Sequence, residues 1–152
     1  MEKETYLTFK LGQEFFAVGV ANVLEVLERQ QITPVPRAPE HILGIINFRG
    51  NILPVVDTRQ RFNLFDSEAH VNSILIVFEM ESAENHFSIA ATADGVKDVI
   101  EISQDEIKPI PEIGLKYDTH FIRGVIRRDE NFILILDTEA VFSPSDTEVI
   151  NN

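Results

Sequence analysis

Apolar and polar residues alternate along much of this chain. Leu7, Phe9 and Leu11 are separated by Thr8 and Lys10, the period-2 pattern of a strand with one face buried. Ile74 to Phe78 breaks the rule with five consecutive apolar residues rich in β-branching. That run predicts a strand buried on both faces, in the middle of a barrel or between two lobes. Ile42 to Phe48 and Ile52 to Val56 flank Arg49-Gly50-Asn51, a short glycine-containing connection that predicts a hairpin, and Arg127 to Asn131 reads as a longer polar turn in a second one. After each hairpin stands an N-cap candidate, Asp57-Thr58 and Asp137-Thr138, whose side-chain oxygens can accept from the first free amides of a short helix. Phe62 and Phe142 then fold back onto the strands, and the polar run Asn63 to Asn72 joins two lobes. Many short strands with little helix predict a mainly β protein built of small barrels.

The two hairpins belong to an internal duplication. Gly44-Ile45-Ile46, Asp57-Thr58 and Phe62 recur as Gly124-Val125-Ile126, Asp137-Thr138 and Phe142, at an offset of 80. Thr33-Pro34-Val35-Pro36 answers Lys108-Pro109-Ile110-Pro111 at 75, and Val23 to Glu28 answers Val96 to Glu101 at 73. Similarity at a nearly fixed offset indicates one supersecondary unit built twice. The drift assigns the second copy a few extra residues, most simply in the Glu112 to His120 connection. The resulting lobes are 6–65 and 71–143, within one unit 6–143 whose terminal strands are free to cross between lobes. Each lobe alone would bury only roughly 60% of its unfolded surface, so a shared core is expected.

Charge narrows the partners. The formal net charge of −12 resides entirely in the second half: residues 1–62 hold seven Lys/Arg and seven Asp/Glu, whereas 63–152 hold six and eighteen. A clustered basic face, needed for phosphate contacts, is therefore not expected, which argues against nucleic acid and anionic membrane surfaces. No apolar run approaches the ~20 residues of a membrane span. Met1-Glu2-Lys3-Glu4 lacks the basic and apolar segments of a secretion signal, so a cytoplasmic location is expected.

Catalytic groupings are sparse. His41, His70, His86 and His120 share no i, i+4 or HxH spacing, and there is no cysteine, no GxSxG and no Walker A sequence. Glu79, Glu81 and Glu84 could supply paired carboxylates, but beside Ser82 and Asn85 they read as a solvated hairpin turn. No catalytic residue, metal or cofactor is expected. A ligand-binding or hydrolytic β-barrel stays open as an alternative and would require a deep pocket with converging polar groups.

The pattern Gly44-x-x-Asn47-x-Arg49-Gly50-x-x-x-Pro54-x-x-Asp57-x-Arg59 resembles the signature of the CheW family of bacterial chemotaxis. Asp94-Gly95-Val96-x-Asp98-Val99 resembles its second-lobe motif, and Ile107-Lys108-Pro109-x-Pro111 and Gly124 to Asp137 match in order and spacing, over roughly residues 6–142. The resemblance implies two SH3-like, five-stranded β-barrel lobes with short helices and no catalytic activity. It implies a scaffold that binds the cytoplasmic tips of methyl-accepting chemoreceptors and the regulatory, CheW-like domain of the histidine kinase CheA. Contacts of the same kind build rings in receptor arrays, and kinase contact falls at barrel ends, without residues assigned. Related proteins also serve pathways controlling type IV pili, motility or gene expression.

Carried over residue by residue, the resemblance makes Arg49, Asn47, Val23, Glu25, Val96 and Val99 the receptor-binding candidates. A guanidinium at a hairpin tip offers five donors to carboxylates or helix-end carbonyls, and valines would floor a groove for a helix. The competing reading is a solvated arginine and core valines, Val26 included. Gly44, Gly50, Gly95 and Gly124 are read as structural, serving close approach or positive φ. Asp57 and Asp137 are read as caps. Arg59 has no twin, since Glu139 stands there, and is expected to contact a partner or pair with Asp57.

Overall fold

The computed structural model describes residues 2–28, 30–62, 74–81, 86–110 and 119–150. The connection Asn63–Asn72, most of the Glu112–His120 segment, Pro111, His70 and the Ser82–Asn85 turn lie outside the described residues.

The first repeat supplies β1 (Lys3–Leu11), β2 (Glu14–Gly19), β3 (Val23–Leu27), β4 (Ile42–Phe48), β5 (Asn51–Val56) and α1 (Thr58–Arg61). The second supplies β6 (Ile74–Glu81), β7 (His86–Ala93), β8 (Gly95–Ser103), β9 (Ile122–Arg128), β10 (Asn131–Leu136) and α2 (Thr138–Val141). They form two five-stranded sheets, in the orders β8-β1-β2-β10-β9 and β3-β6-β7-β5-β4. Each sheet thus takes its central hairpin from one repeat and the other three strands from the other. The seams are parallel pairs: β2 lies along β10 through Phe15 to Ala17, and β7 along β5 through Ala90 and Ala91. The terminal strands β1 and β2 cross to the sheet of residues 95–136, and β6 and β7 cross the other way.

This exchange explains the Ile74 to Phe78 run. Leu75 and Val77 join a core within their own sheet, with Ile46, Phe48, Leu53, Val55 and Ala90. Ile76 and Phe78 face a larger core shared with Leu7, Phe9, Leu11 and Phe16 of the other sheet. A third core, around Tyr6, Ala17, Ile102 and Ile126, fills the second sheet. The shared core makes the two sheets interdependent, since separating them would expose apolar surface at roughly 25 cal/mol per Å².

Both short helices are capped alike. The Asp57 side chain accepts from the amides of Arg59 and Gln60, and Asp137 from those of Glu139 and Ala140. Phe62 then stacks on Phe16 at 5.5 Å, and Phe142 meets Phe78 at 4.8 Å. Each helix follows a strand of one sheet and pins its phenylalanine onto the other.

Two local expectations change. Thr8 is fully buried rather than solvent-facing, because its hydroxyl donates to the Asp98 backbone carbonyl at 3.0 Å and contacts the Asp98 carboxylate at 2.5 Å. The turn of the second hairpin is no longer than the first. Arg128 pairs with Asn131, leaving Asp129 and Glu130 as a two-residue turn with φ of 51° and 71°.

The chain after α2 packs back as a 3-10 segment, Pro144–Ile150, anchored by the buried Asp146. The Asp146 carboxylate accepts from Arg61 Nη2 at 2.8 and 2.9 Å and from the Ser143 amide at 3.0 Å, with His41 Nε2 2.8 Å away. Removing one partner of a buried ion pair strands the other, so Asp146→Ala is expected to cost about 3 kcal/mol and lower Tm by about 10 °C. Thermal denaturation followed by circular dichroism checks this, and a change under about 2 °C would mean that the segment contributes little to the fold.

Candidate functional site

At the tip of the β4–β5 hairpin, Arg49 and Gly50 have φ of 52° and 84°, a two-residue turn whose twist matches the strands. The Asn47 side chain accepts from the Gly50 amide at 3.0 Å and so closes the turn. Arg49 holds a left-handed conformation that costs a non-glycine residue roughly 1–2 kcal/mol. Its guanidinium lies 4.7 Å from the Phe48 ring centroid, and Nη2 donates to Glu25 Oε1 at 3.0 Å. The side chain nonetheless stays 65% exposed. Three candidates, Arg49, Asn47 and Glu25, therefore meet where this hairpin faces β3, on the opposite edge of the same sheet.

Val23 lies on β3 but is half-buried, packing against the shared core. The exposed apolar residues of that strand are its neighbours Leu24 and Val26. Val96 and Val99 stand on β8 in the other sheet, 41% and 58% exposed, so both are open to a partner. Sequence reasoning missed Leu43, Ile52 and Phe132. Ile52 is 50% and Phe132 63% exposed, and both occupy the second position after the turn of their hairpin, in equivalent places of the two repeats. An apolar residue recurring next to a hairpin tip was the available signal.

The glycines divide. The chain leaving β3 returns to β4 through a pair of hydrogen bonds between Thr33 and Ile45, and the chain after β8 returns to β9 through Lys108 and Val125, all at 2.9 Å. A Cβ on Gly44 would sit 2.2 Å from the Thr33 carbonyl oxygen, and one on Gly124 2.4 Å from Ile107 Cγ2. Gly50 requires its positive φ. Gly95 differs from the expectation: an added Cβ meets nothing within 4 Å, and its φ is not in the positive range.

Arg59 is also a correction. Its guanidinium is buried and pairs with Asp94, not with the Asp57 carboxylate, which instead receives the Arg59 amide. Asp94 lies beside a depression of about 380 Å³ that opens to solvent, lined also by Lys10, Phe15, Gly95, Val96 and Lys97.

Titratable groups displaced from their ordinary range have local causes. A hydrogen bond to Glu79 raises His86 on an exposed hairpin, and burial raises Tyr6. The Ser103 hydroxyl lowers Asp105, and the Ser103 amide followed by Arg128 lowers Glu106. None of these four lines the depression. Among the described residues no group of three or more His, Asp or Glu side chains is arranged to hold a metal ion, and no helix is long and apolar enough to cross a membrane.

Two interlocked sheets with open strand edges, a charged hairpin tip and exposed apolar residues on β3, β5, β8 and β10 leave surface on which another protein can dock. The family model of the CheW-like domain matches residues 5–145, and the chain belongs to the CheW family, the coupling adaptors of chemotaxis. It is 30% identical over 142 residues to the chemotaxis protein CheW of Rhizobium meliloti, spanning 93% of this chain and 89% of that one. With the chemotaxis protein CheW of Bacillus subtilis the identity is 28% over 146 residues, spanning 95% and 90%. The crystal structure of scaffolding protein TtCheW from Thermoanaerobacter tengcongensis superposes with a TM-score of 0.81 at 29% identity, covering 96% of this chain and 92% of that one.

Proposed function

We propose that this chain is a non-catalytic scaffold that couples the cytoplasmic tips of methyl-accepting chemoreceptors to the histidine kinase CheA, through the kinase's regulatory, CheW-like domain. The observation that carries the reading is the Arg49 tip. An arginine is held there in a conformation that costs free energy, braced by Asn47, Phe48 and Glu25, yet largely exposed. Asp129 and Glu130 hold the same left-handed geometry at the other tip, so the turn accounts for the φ; what sets this tip apart is an exposed, braced guanidinium whose fork of donors suits a carboxylate or helix-end carbonyl on a partner. Asn47 and Glu25 stand beside it on the first sheet; Val23, half-buried on β3, and the exposed Val96 and Val99 on β8 complete the receptor candidates in this reading.

In this reading the protein works in the cytoplasm, at the inner face of the membrane, held there by receptor arrays in which copies also associate into rings. The kinase docks on barrel ends and open strand edges, where an unpaired ladder accepts a neighbouring domain. Ile52 and Phe132 supply exposed apolar area at the two hairpin tips.

The test is kinase autophosphorylation in the presence of receptor-containing membranes, with and without the protein. The expected result is receptor-dependent control of the kinase only when the protein is added. If a folded sample binds neither receptor nor kinase from a cognate pathway, the coupling role is wrong.

A further inference from the structure

The start of β8 is held in place by more than its own ladder. Gly95 and Val96 pair with Lys10 and Phe9 of β1, but the register slips between Phe9 and Thr8, so this end is separated from the regular pairing beyond. Lys97 through Val99 are exposed. What fixes the end is Asp94. Its amide donates to the Lys10 carbonyl at 2.8 Å, and its Oδ2 accepts from the Gly12 amide at 2.7 Å. Both carboxylate oxygens accept from Arg59 Nη2 at 2.6 Å.

Arg59 belongs to the other sheet's chain. It sits in α1, which continues β5, the strand paired with β4 and sharing the Arg49 tip. The helix is itself fixed: Asp57 caps it, and the Thr58 hydroxyl donates to the Thr92 carbonyl of β7 at 2.7 Å. An unbroken chain of contacts therefore runs from the Arg49 hairpin through β5 and α1 to Asp94, and from there into Val96.

The duplication supplies a comparison within the molecule. At the offsets that relate the repeats, 73 and 80, the places of Asp94 and Arg59 are taken by Ala21 and Glu139. The corresponding junction is built differently: Ala21 lies in a 3-10 turn, Val20–Asn22, where Asn22 Nδ2 donates to the Glu79 carbonyl at 3.2 Å, so the Asp94–Arg59 pair is particular to the second repeat. A buried pair is on balance often no more stabilising than apolar residues of like volume, and its best-attested use is to fix one arrangement among several.

We propose that Asp94 is a positioning residue for the receptor contact: its ion pair with Arg59 fixes the exposed β8 strip, Val96 and Val99, relative to the hairpin that carries Arg49. The proposal rests on the receptor reading given above. A partner helix that touches both sheets can use Arg49 and the valines together only if their spacing is set before it arrives, and Asp94 is where that spacing is set.

The test compares wild type, Asp94→Asn and Asp94→Glu in two measurements, amide hydrogen exchange and binding to chemoreceptor-containing membranes. Asparagine keeps the shape and an acceptor for Gly12 while removing the charge. The expected result is faster exchange confined to residues 95–99, protection retained in β4 and β5, and binding weakened about tenfold, the scale of coupling carried by a residue outside the contact. Asp94→Glu, which keeps the charge, should recover most of the binding. Should Asp94→Asn not fold, Arg59→Gln replaces it, removing the charge from the other side of the pair, and must shift both readouts the same way. Wild-type binding by Asp94→Asn overturns the proposal, and so does exchange that rises across both sheets together, which would make the pair merely structural. If wild type binds and Arg49→Glu does not, either of those results sinks the positioning role alone. If wild type itself fails to bind, the receptor reading falls and this proposal with it.

Discussion

Gly44→Ala is expected to destabilise the protein by about 3 kcal/mol, lowering Tm by about 10 °C, whereas Gly95→Ala should leave Tm within about 2 °C of wild type. The difference lies in what the new methyl group meets. At Gly44 it would stand 2.2 Å from the Thr33 carbonyl oxygen and 2.7 Å from its carbon, both backbone atoms. That carbonyl cannot swing aside cheaply, because it accepts from the Ile45 amide while the Thr33 amide donates to the Ile45 carbonyl, both at 2.9 Å. Relieving the clash breaks the bridge that brings the chain from β3 back to β4. At Gly124 the first obstacle is Ile107 Cγ2 at 2.4 Å, with the Lys108 carbonyl oxygen at 2.9 Å. A side-chain methyl moves more easily, so Gly124→Ala should fall between the other two. Thermal melts of the three variants check the order. A Gly44→Ala protein as stable as Gly95→Ala would mean that the Thr33 bridge does not persist in solution.

The duplication, the hairpins and the capped helices were legible because each is a local pattern: a recurring string, a glycine between two apolar runs, an aspartate before a helical turn. That terminal strands could cross between the lobes was open from the start, but which strands pair was not legible, because ladder partners are chosen by non-local pairing. Nothing in β1 states that it will lie beside β8 rather than β3. Only the unbroken apolar run at Ile74 to Phe78 signalled a strand with a core on each side. Facing was not legible at β3 for the same reason: Val23 is half-buried against the shared core, while Leu24 and Val26 are exposed. A one-residue change of register reverses every side chain of a strand, and the sequence carries no marker of that register. Thr8 misled because a buried hydroxyl with a partner 90 positions away looks like a solvent-facing one. Arg59 misled in the same way, since the nearest carboxylate in sequence was Asp57 and the one it holds is 35 positions on. The Arg49 tip was legible as a motif, and its bracing by Glu25 and Phe48 only in three dimensions.

Arg49→Glu is expected to weaken receptor binding by about 30-fold or more, the loss typical of a charged hot-spot residue, and to abolish receptor-dependent kinase control while the fold survives. The stability side follows from exposure. The Arg49–Glu25 pair joins side chains that are 65% and 36% exposed, and such a pair contributes about 0–1 kcal/mol. Glutamate would face Glu25 with like charge, a penalty of the same small size, so Tm should fall by no more than about 3 °C. The left-handed turn is no worse for glutamate than for arginine, and Asn47 still closes it through the Gly50 amide. Two further substitutions separate charge from geometry. Arg49→Lys keeps the charge but loses the planar fork, and a partner contact made through two parallel donors should suffer markedly. Arg49→Gly relieves the positive φ, so it should be at least as stable as wild type while binding no better than Arg49→Glu. Binding to receptor-containing membranes, kinase assays and thermal melts on one set of proteins distinguish the cases. If Arg49→Glu melts as low as Gly44→Ala, the arginine belongs to the fold, and the exposed contact must be sought at Ile52 and Phe132 instead.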